Sequence, residues 1–115
     1  MAHFAKVEHG VVAQVIAINN SDLGDVDFPE SESLGQSLIE SLGLEGDWVQ
    51  TSYNRNFRGQ FAGVGMELSG DIFHRPQPYP SWTLSLDGEW EAPTALPDSA
   101  NAYEWDEGAL AWIEV

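Results

Sequence analysis

The sequence predicts an α+β fold that is mainly β: a small antiparallel sheet with one short helix, followed by short C-terminal hairpins rich in proline and tryptophan. Three observations predict it. Residues 3–18, "HFAKVEHGVVAQVIAI", carry β-branched and aromatic residues on both sides of a turn sequence. Only residues 31–46, "SESLGQSLIESLGLEG", repeat apolar residues at helical spacing. Residues 71–93, "DIFHRPQPYPSWTLSLDGEWEAP", hold four prolines and two tryptophans. No helix can run through that stretch, and no plain central strand either, because each proline lacks a ladder donor.

The first element is a hairpin. Phe4, Ala5 and Val7 pair with a second run of Val11, Val12, Val15, Ile16 and Ile18, and "EHG" supplies the turn, with Gly10 free to take positive φ. "NNSDLGDVDFPESES" is a polar loop rich in turn formers. The helix is expected next. Ser33 with Gln36, or Ser31 in its place, is its N-cap. Leu34, Leu38, Ile39 and Leu42 form one face against a sheet, and Gly43 or Gly46 ends it. "DWVQTSYN" reads as a strand, "NRNFRGQ" as a polar turn, and "FAGVGMEL" as a further strand. In the last, Gly63 and Gly65 lie in phase with Phe61, where a backbone or a ring would press. Residues 1–70 form the core, and 71–115 a hairpin tail of the same domain.

The tail repeats itself. Phe73 is followed by Pro76 and Pro80, and Trp90 by Pro93 and Pro97, at the same offsets of three and seven. Each proline stretch leads to an aromatic hairpin: "SWTLSLDGEW", with its turn at "LDGE", and "YEWDEGALAW", with its turn at "DEGA". Two-stranded hairpins are marginal alone, so these aromatics must pack on each other, on the body, or on another protein. Extended proline segments lose little entropy on docking, which suits an arm lying along a partner.

Charge narrows the function classes. Four basic residues face nineteen acidic ones, a formal net charge of −15. Tracking phosphates takes many Lys and Arg, so nucleic acid is excluded as a partner, and an anionic membrane surface with it. No apolar run approaches the roughly 20 residues of a membrane span, and "MAHFAKVEHG" lacks the pattern of a signal peptide. With no cysteine, disulfides and thiolate metal sites do not arise.

Catalytic chemistry finds no constellation. His3, His9 and His74 stand apart in sequence and outside metalloprotease spacing, and they read as solvated. Asp25, Asp27, Glu30 and Glu32 alternate as in calcium loops, but the loop glycine and terminal glutamate of an EF-hand are missing. No serine lies in a GxSxG elbow, and "GVG" is no phosphate loop. The expectation is a non-enzyme without metal or cofactor. Arg55 and Arg58 flank "NF" in a chain almost without other cations, and either pair with internal acids or clamp a partner's carboxylates.

Several long strings then occur together: "MAHFAKVEHGVVAQVIAI", "GLEGDWVQTSYNRNFRGQFAGVG", "DIFHRPQPYPSWTLSLDGEWEAPTALP" and "YEWDEGALAW". In these the chain resembles a family of small proteins encoded by marine tailed bacteriophages, notably phages of cyanobacteria. The resemblance spans nearly the whole chain apart from the acidic loop at about residues 20–31. It implies a virion structural protein assembled in the host cytoplasm, and it carries no catalytic residues to transfer. The expected role is a decoration or cement protein on the outer capsid, with the major capsid protein or another virion protein as partner and a homo-oligomer left open. A low-copy tail, neck or fibre protein, a carbohydrate-binding module and an intracellular binder of a host factor are the alternatives. The residues expected to bind the partner are Arg55, Phe57, Arg58, Tyr79, Trp82, Trp90 and Trp105.

Overall fold

A computed structural model describes residues 1–98 and 100–115. Strands β1 (Ala2–Glu8) and β2 (Val11–Ile18) form the expected hairpin. Its turn residues His9 and Gly10 both take positive φ, at 53° and 79°, the combination that matches strand twist in a two-residue loop. Lys6 faces Gln14 and Val7 faces Val12, so Ala13 is an extra, bulged residue. The bulge resets the alternation. Val12 and Val15, three apart, pack on one side of the sheet, while Ile16 and Ile18 serve the other.

A short 3-10 turn (Asn20–Leu23) buries Leu23, and helix α1 runs from Glu30 to Ser41. Strand β3 (Asp47–Thr51) returns antiparallel to β1, so β2, α1 and β3 make a crossover with β1 between the two strands. Strands β4 (Glu67–Ser69) and β5 (Ile72–His74) extend the sheet on its other side. The five antiparallel strands run in the order β3-β1-β2-β4-β5.

Each face of the sheet has its own core. On the helix side Ala2, Phe4, Ile18, Leu23, Ile39 and Trp48 pack together. On the opposite side Ala5, Val12 and Phe73 are covered by Ala62 from the loop between β3 and β4.

The helix departs from expectation in two ways. Its buried residues are Ser31, Gly35 and Ile39, while Leu34 and Leu42 are exposed. The Phe4 ring is the reason: it sits where a Cβ of residue 35 would stand, so the helix turns its glycine to the sheet. The N-cap position is Pro29, with no side-chain cap, and Ser31 lies inside the helix, its Oγ donating to Gln50 Oε1 at 2.8 Å. The C-terminus follows the expected chemistry. Gly43 takes φ 78°, its N–H bonds to Glu40 O, and Leu44 N–H bonds to Ile39 O, a Schellman ending.

The strand expected over "FAGVGMEL" begins only at Glu67. Met66 N–H bonds to Gly63 O in a turn, and Gly65 takes φ 90°. No ring or backbone presses on these glycines: an added Cβ at Gly63 would meet only Met66 Sδ, and at Gly65 nothing within 4 Å.

Beyond β5 the chain leaves the body as an arm of two hairpins, β6 (Thr83–Leu84) with β7 (Trp90–Glu91) and β8 (Tyr103–Asp106) with β9 (Ala111–Glu114). Because β5 belongs to the body's sheet, the arm starts at Arg75. The molecule measures 53 × 27 × 20 Å with a radius of gyration of 17.7 Å. A compact chain of this length has roughly 13 Å, so the arm projects.

Candidate partner interface

The seven residues expected to bind a partner fall into three places. Arg55, Phe57 and Arg58 share the turn after β3, where Arg55 and Arg58 take positive φ. Arg55 is exposed and lies 3.9 Å from Glu89 on the first hairpin. Phe57 stacks on Phe28 with centroids 3.8 Å apart. Arg58 is directed inward. It forks onto the Glu32 carboxylate with both terminal nitrogens, donates to Gln50 O at 3.0 Å, and lies over the Phe28 ring at 5.1 Å. Its side chain is 15% exposed, so its charge is met inside the protein.

That pairing closes a sheet edge. Three outward-facing main-chain groups of β3 are met by side chains: Gln36 Nε2 donates to Trp48 O at 2.7 Å, Gln50 N–H donates to Glu32 Oε2 at 2.9 Å, and Arg58 serves Gln50 O. The three side chains stand where a sixth strand would pair. The opposite edge is closed by main chain, with Phe73 N–H donating to Arg58 O at 2.9 Å and Gln60 N–H to Phe73 O at 3.1 Å. Glu32 is thereby removed from the alternating acids of the 25–32 segment. Among the described residues no group of three His, Cys, Asp or Glu stands together to hold a metal.

Tyr79, Trp82 and Trp105 meet in the arm, joined by Trp112. Trp82 lies 5.7 Å from Trp105 and 5.9 Å from Trp112, and Trp105 lies 5.1 Å from Trp112, all near edge-to-face. Tyr79 completes the group at 5.6 Å from Trp82. Such pairs gain about 0.5–1.5 kcal/mol each beyond burial, and they form a small core for hairpins that would be marginal alone. Trp105 is 8% exposed. Glu107 clasps the hairpins together. Its carboxylate accepts Ser81 N–H at 3.0 Å, Ser81 Oγ–H at 2.6 Å and Trp105 Nε1–H at 2.9 Å. The Ser81 hydroxyl and the Trp105 indole hold its carboxyl below its ordinary value.

Trp90 joins neither group. Its ring stands edge-on to His74 at 5.3 Å, and its Nε1 donates to Arg75 O at 2.7 Å. His74, read from sequence as solvated, is 3% exposed. Its Nδ1 lies 2.7 Å from Arg75 O, which can only accept, so Nδ1 carries the proton; Nε2 meets Ser69 Oγ at 2.6 Å. Gly88, at the tip of the first hairpin, is buried, and a Cβ there would lie 2.9 Å from Gln60 N. The glycine lets the hairpin rest against the body's backbone, and Gln60 Nε2 donates to Asp87 O at 2.8 Å beside it.

The repeat seen in the tail has a structural counterpart. The second tryptophan of each hairpin donates its indole N–H to a carbonyl of the proline segment before it: Trp90 to Arg75 O, Trp112 to Thr94 O at 2.9 Å. The first tryptophan of each, Trp82 or Trp105, enters the aromatic cluster.

Two contributors were not among the expected site residues. Trp112 was legible as the partner of Trp105 across the hairpin, whereas Glu107 reads locally only as a turn residue. Exposed apolar side chains also line the arm, notably Leu86 (88%) and Val115 (80%), with Leu96, Leu110 and Ile113 about half exposed. Comparison with protein-family models, curated proteins and solved structures finds no match to this chain.

Proposed function

We propose that this protein is a structural component of a tailed-phage virion, most simply a decoration protein that lies on the outer shell and grips the major capsid protein with its arm. The observation that carries the reading is the projecting arm, which is ordered by its own aromatic cluster and still leaves apolar side chains in solvent. Rigid aromatic–proline elements lose little freedom on docking, and repeated sites on a shell multiply modest contacts into avidity. The net charge of −15 keeps the outward surface soluble. The sequence resemblance to marine phage proteins supports the same setting.

The docking residues under this reading are the exposed apolar side chains of the arm together with Arg55. Tyr79, Trp82 and Trp105 shape the arm from within, Trp90 packs the first hairpin on His74 of the body, and Arg58 and Phe57 brace the turn that carries Arg55. Counting copies in purified particles of the encoding phage by quantitative mass spectrometry tests the proposal. Hundreds of copies in a simple ratio to the shell subunit are expected. A few dozen or fewer would move the protein to tail, neck or fibres, and none would overturn a virion role.

A further inference from the structure

A cleft of about 330 Å³ lies at the end of the sheet, where the N-terminal end of β1, the loop before α1 and the turn after β3 meet. Two ring stacks line it. One is Phe28 on Phe57, at 3.8 Å and 12° between planes; the other is His3 on Tyr53, at 5.9 Å and 26°. Burial lowers the pKa of His3, with the N-terminal charge adding to the effect, so that ring favours its neutral form.

Buried polar side chains also line the cleft: Ser31, Gln50 and Ser52. Gln50 is 6% exposed and its Oε1 already accepts the Ser31 hydroxyl. Its Nε2 donates to no protein group among the described residues. Asn54 and Asn56 bring further amides; among the described residues Asp27 is the only carboxylate in the lining, no Lys or Arg side chain lines it, and the Met1 α-ammonium is its cation.

We propose that this cleft binds a neutral saccharide, one sugar unit at a time. The C–H faces of a pyranose fit flat rings, and sugar hydroxyls, which both donate and accept, match amides and serine hydroxyls. Other ligand classes fit less well. An anion meets one cation in the lining, the Met1 α-ammonium, set against Asp27 and a chain of net charge −15. A metal ion finds a single carboxylate. A purely apolar ligand would leave the Gln50 amide N–H groups without an acceptor. The tryptophans, the obvious sugar-stacking residues in the sequence, lie elsewhere. Three of them pack edge-to-face on one another in the arm, so the saccharide site uses none of the arm's aromatic cluster, and it borders the shell-binding surface only at Arg55, between the lining residues Asn54 and Asn56.

The test is a two-dimensional NMR titration of the full chain with glucose, galactose, mannose and N-acetylglucosamine, each added separately. Saturable shifts are expected at the Gln50 side-chain amide, Tyr53 and Asn54 with at least one of the four. Tyr53→Ala removes a ring that is 68% exposed and belongs to neither sheet core. It should leave the rest of the spectrum in place and weaken binding about tenfold, the worth of one ring contact. Three results would overturn the proposal: no saturable shift with any of the sugars, shifts confined to the arm tryptophans, or undiminished binding by a folded Tyr53→Ala variant. Particle copy number is independent of all three, so this proposal and the virion assignment stand or fall separately.

Discussion

Arg58 donates to the main-chain carbonyl of Gln50 while holding the Glu32 carboxylate that accepts the N–H of the same residue. One ion pair, formed across 26 residues of sequence, thus satisfies both outward-facing groups of a residue on the open edge of the sheet. An unguarded edge is a template for pairing with another chain.

Arg58→Met should therefore have two effects. It leaves Glu32 without its cation in a half-buried site, with a loss of about 3 kcal/mol, the low end of the range for a broken buried pair. It also frees Gln50 O. Urea unfolding should show the first effect, and concentration-dependent association by light scattering the second. An Arg58→Met variant of unchanged stability that stays monomeric would show that the pair does not guard the edge.

Acid should loosen the molecule through two named carboxylates. Burial works against ionisation of Glu32, but bonds from Arg58 and from Gln50 N–H outweigh it and hold its pKa below the ordinary 4.5. Glu107 is held below the same value, chiefly by the Ser81 hydroxyl. A carboxyl whose folded pKa is depressed adds stability that is complete above its unfolded pKa and is lost as pH falls through the folded one. Stability is expected to be flat above about pH 5 and to decline below about 4.5. Tryptophan emission followed against pH should shift in that acid range, and Glu107→Gln should remove the part that comes from the arm. A midpoint near neutrality would contradict both assignments.

The indoles of the arm are not equivalent. Trp105 Nε1 bonds to Glu107, whereas Trp82 Nε1 is buried with no hydrogen-bond partner among the described residues. Replacing either residue with phenylalanine removes similar volume, but only Trp105→Phe breaks a hydrogen bond to a charged acceptor. It should cost about 1.5 kcal/mol more than Trp82→Phe. Denaturant curves of the two variants give the comparison, and equal losses would count against the clasp.

Gly35 offers a test in which propensity and packing disagree. Alanine is favoured over glycine in a helix by about 1 kcal/mol. Its Cβ would overlap the Phe4 ring, and overpacking a core costs about 1–3 kcal/mol. Gly35→Ala should be destabilising by up to about 2 kcal/mol, with partial recovery when Phe4 is also shortened to leucine. A thermal melt of the three variants decides, and a more stable Gly35→Ala would mean the ring moves aside freely.

What could be read before the fold was known follows from where each signal resides. The turn at His9–Gly10 and the helix end at Gly43 were legible because both depend on backbone preferences of a few adjacent residues. The failures share the opposite character. Leu34 and Leu42 match helical spacing as well as Ser31 and Gly35 do, and only the position of Phe4, on another element, selects the face that is buried. His74 looks solvated among its prolines until Trp90 closes over it from sixteen residues away. Glu107 sits in an ordinary turn sequence and acquires its role from Ser81 in the other hairpin.

The mainly β content with one helix, the proline breaks that keep residues 76–80 out of any helix, and the acid excess were all legible in the sequence. These are properties of single residues and short windows, where propensity, covalent geometry and charge act without reference to the rest of the chain. Arg58 facing inward, Ala13 bulged so that both cores can fill, and three tryptophans packed in the arm while Trp90 seals the body are visible only in the assembled fold. Each of those outcomes depends on surfaces distant in sequence, whose burial and hydrogen bonds exist only once the elements have met.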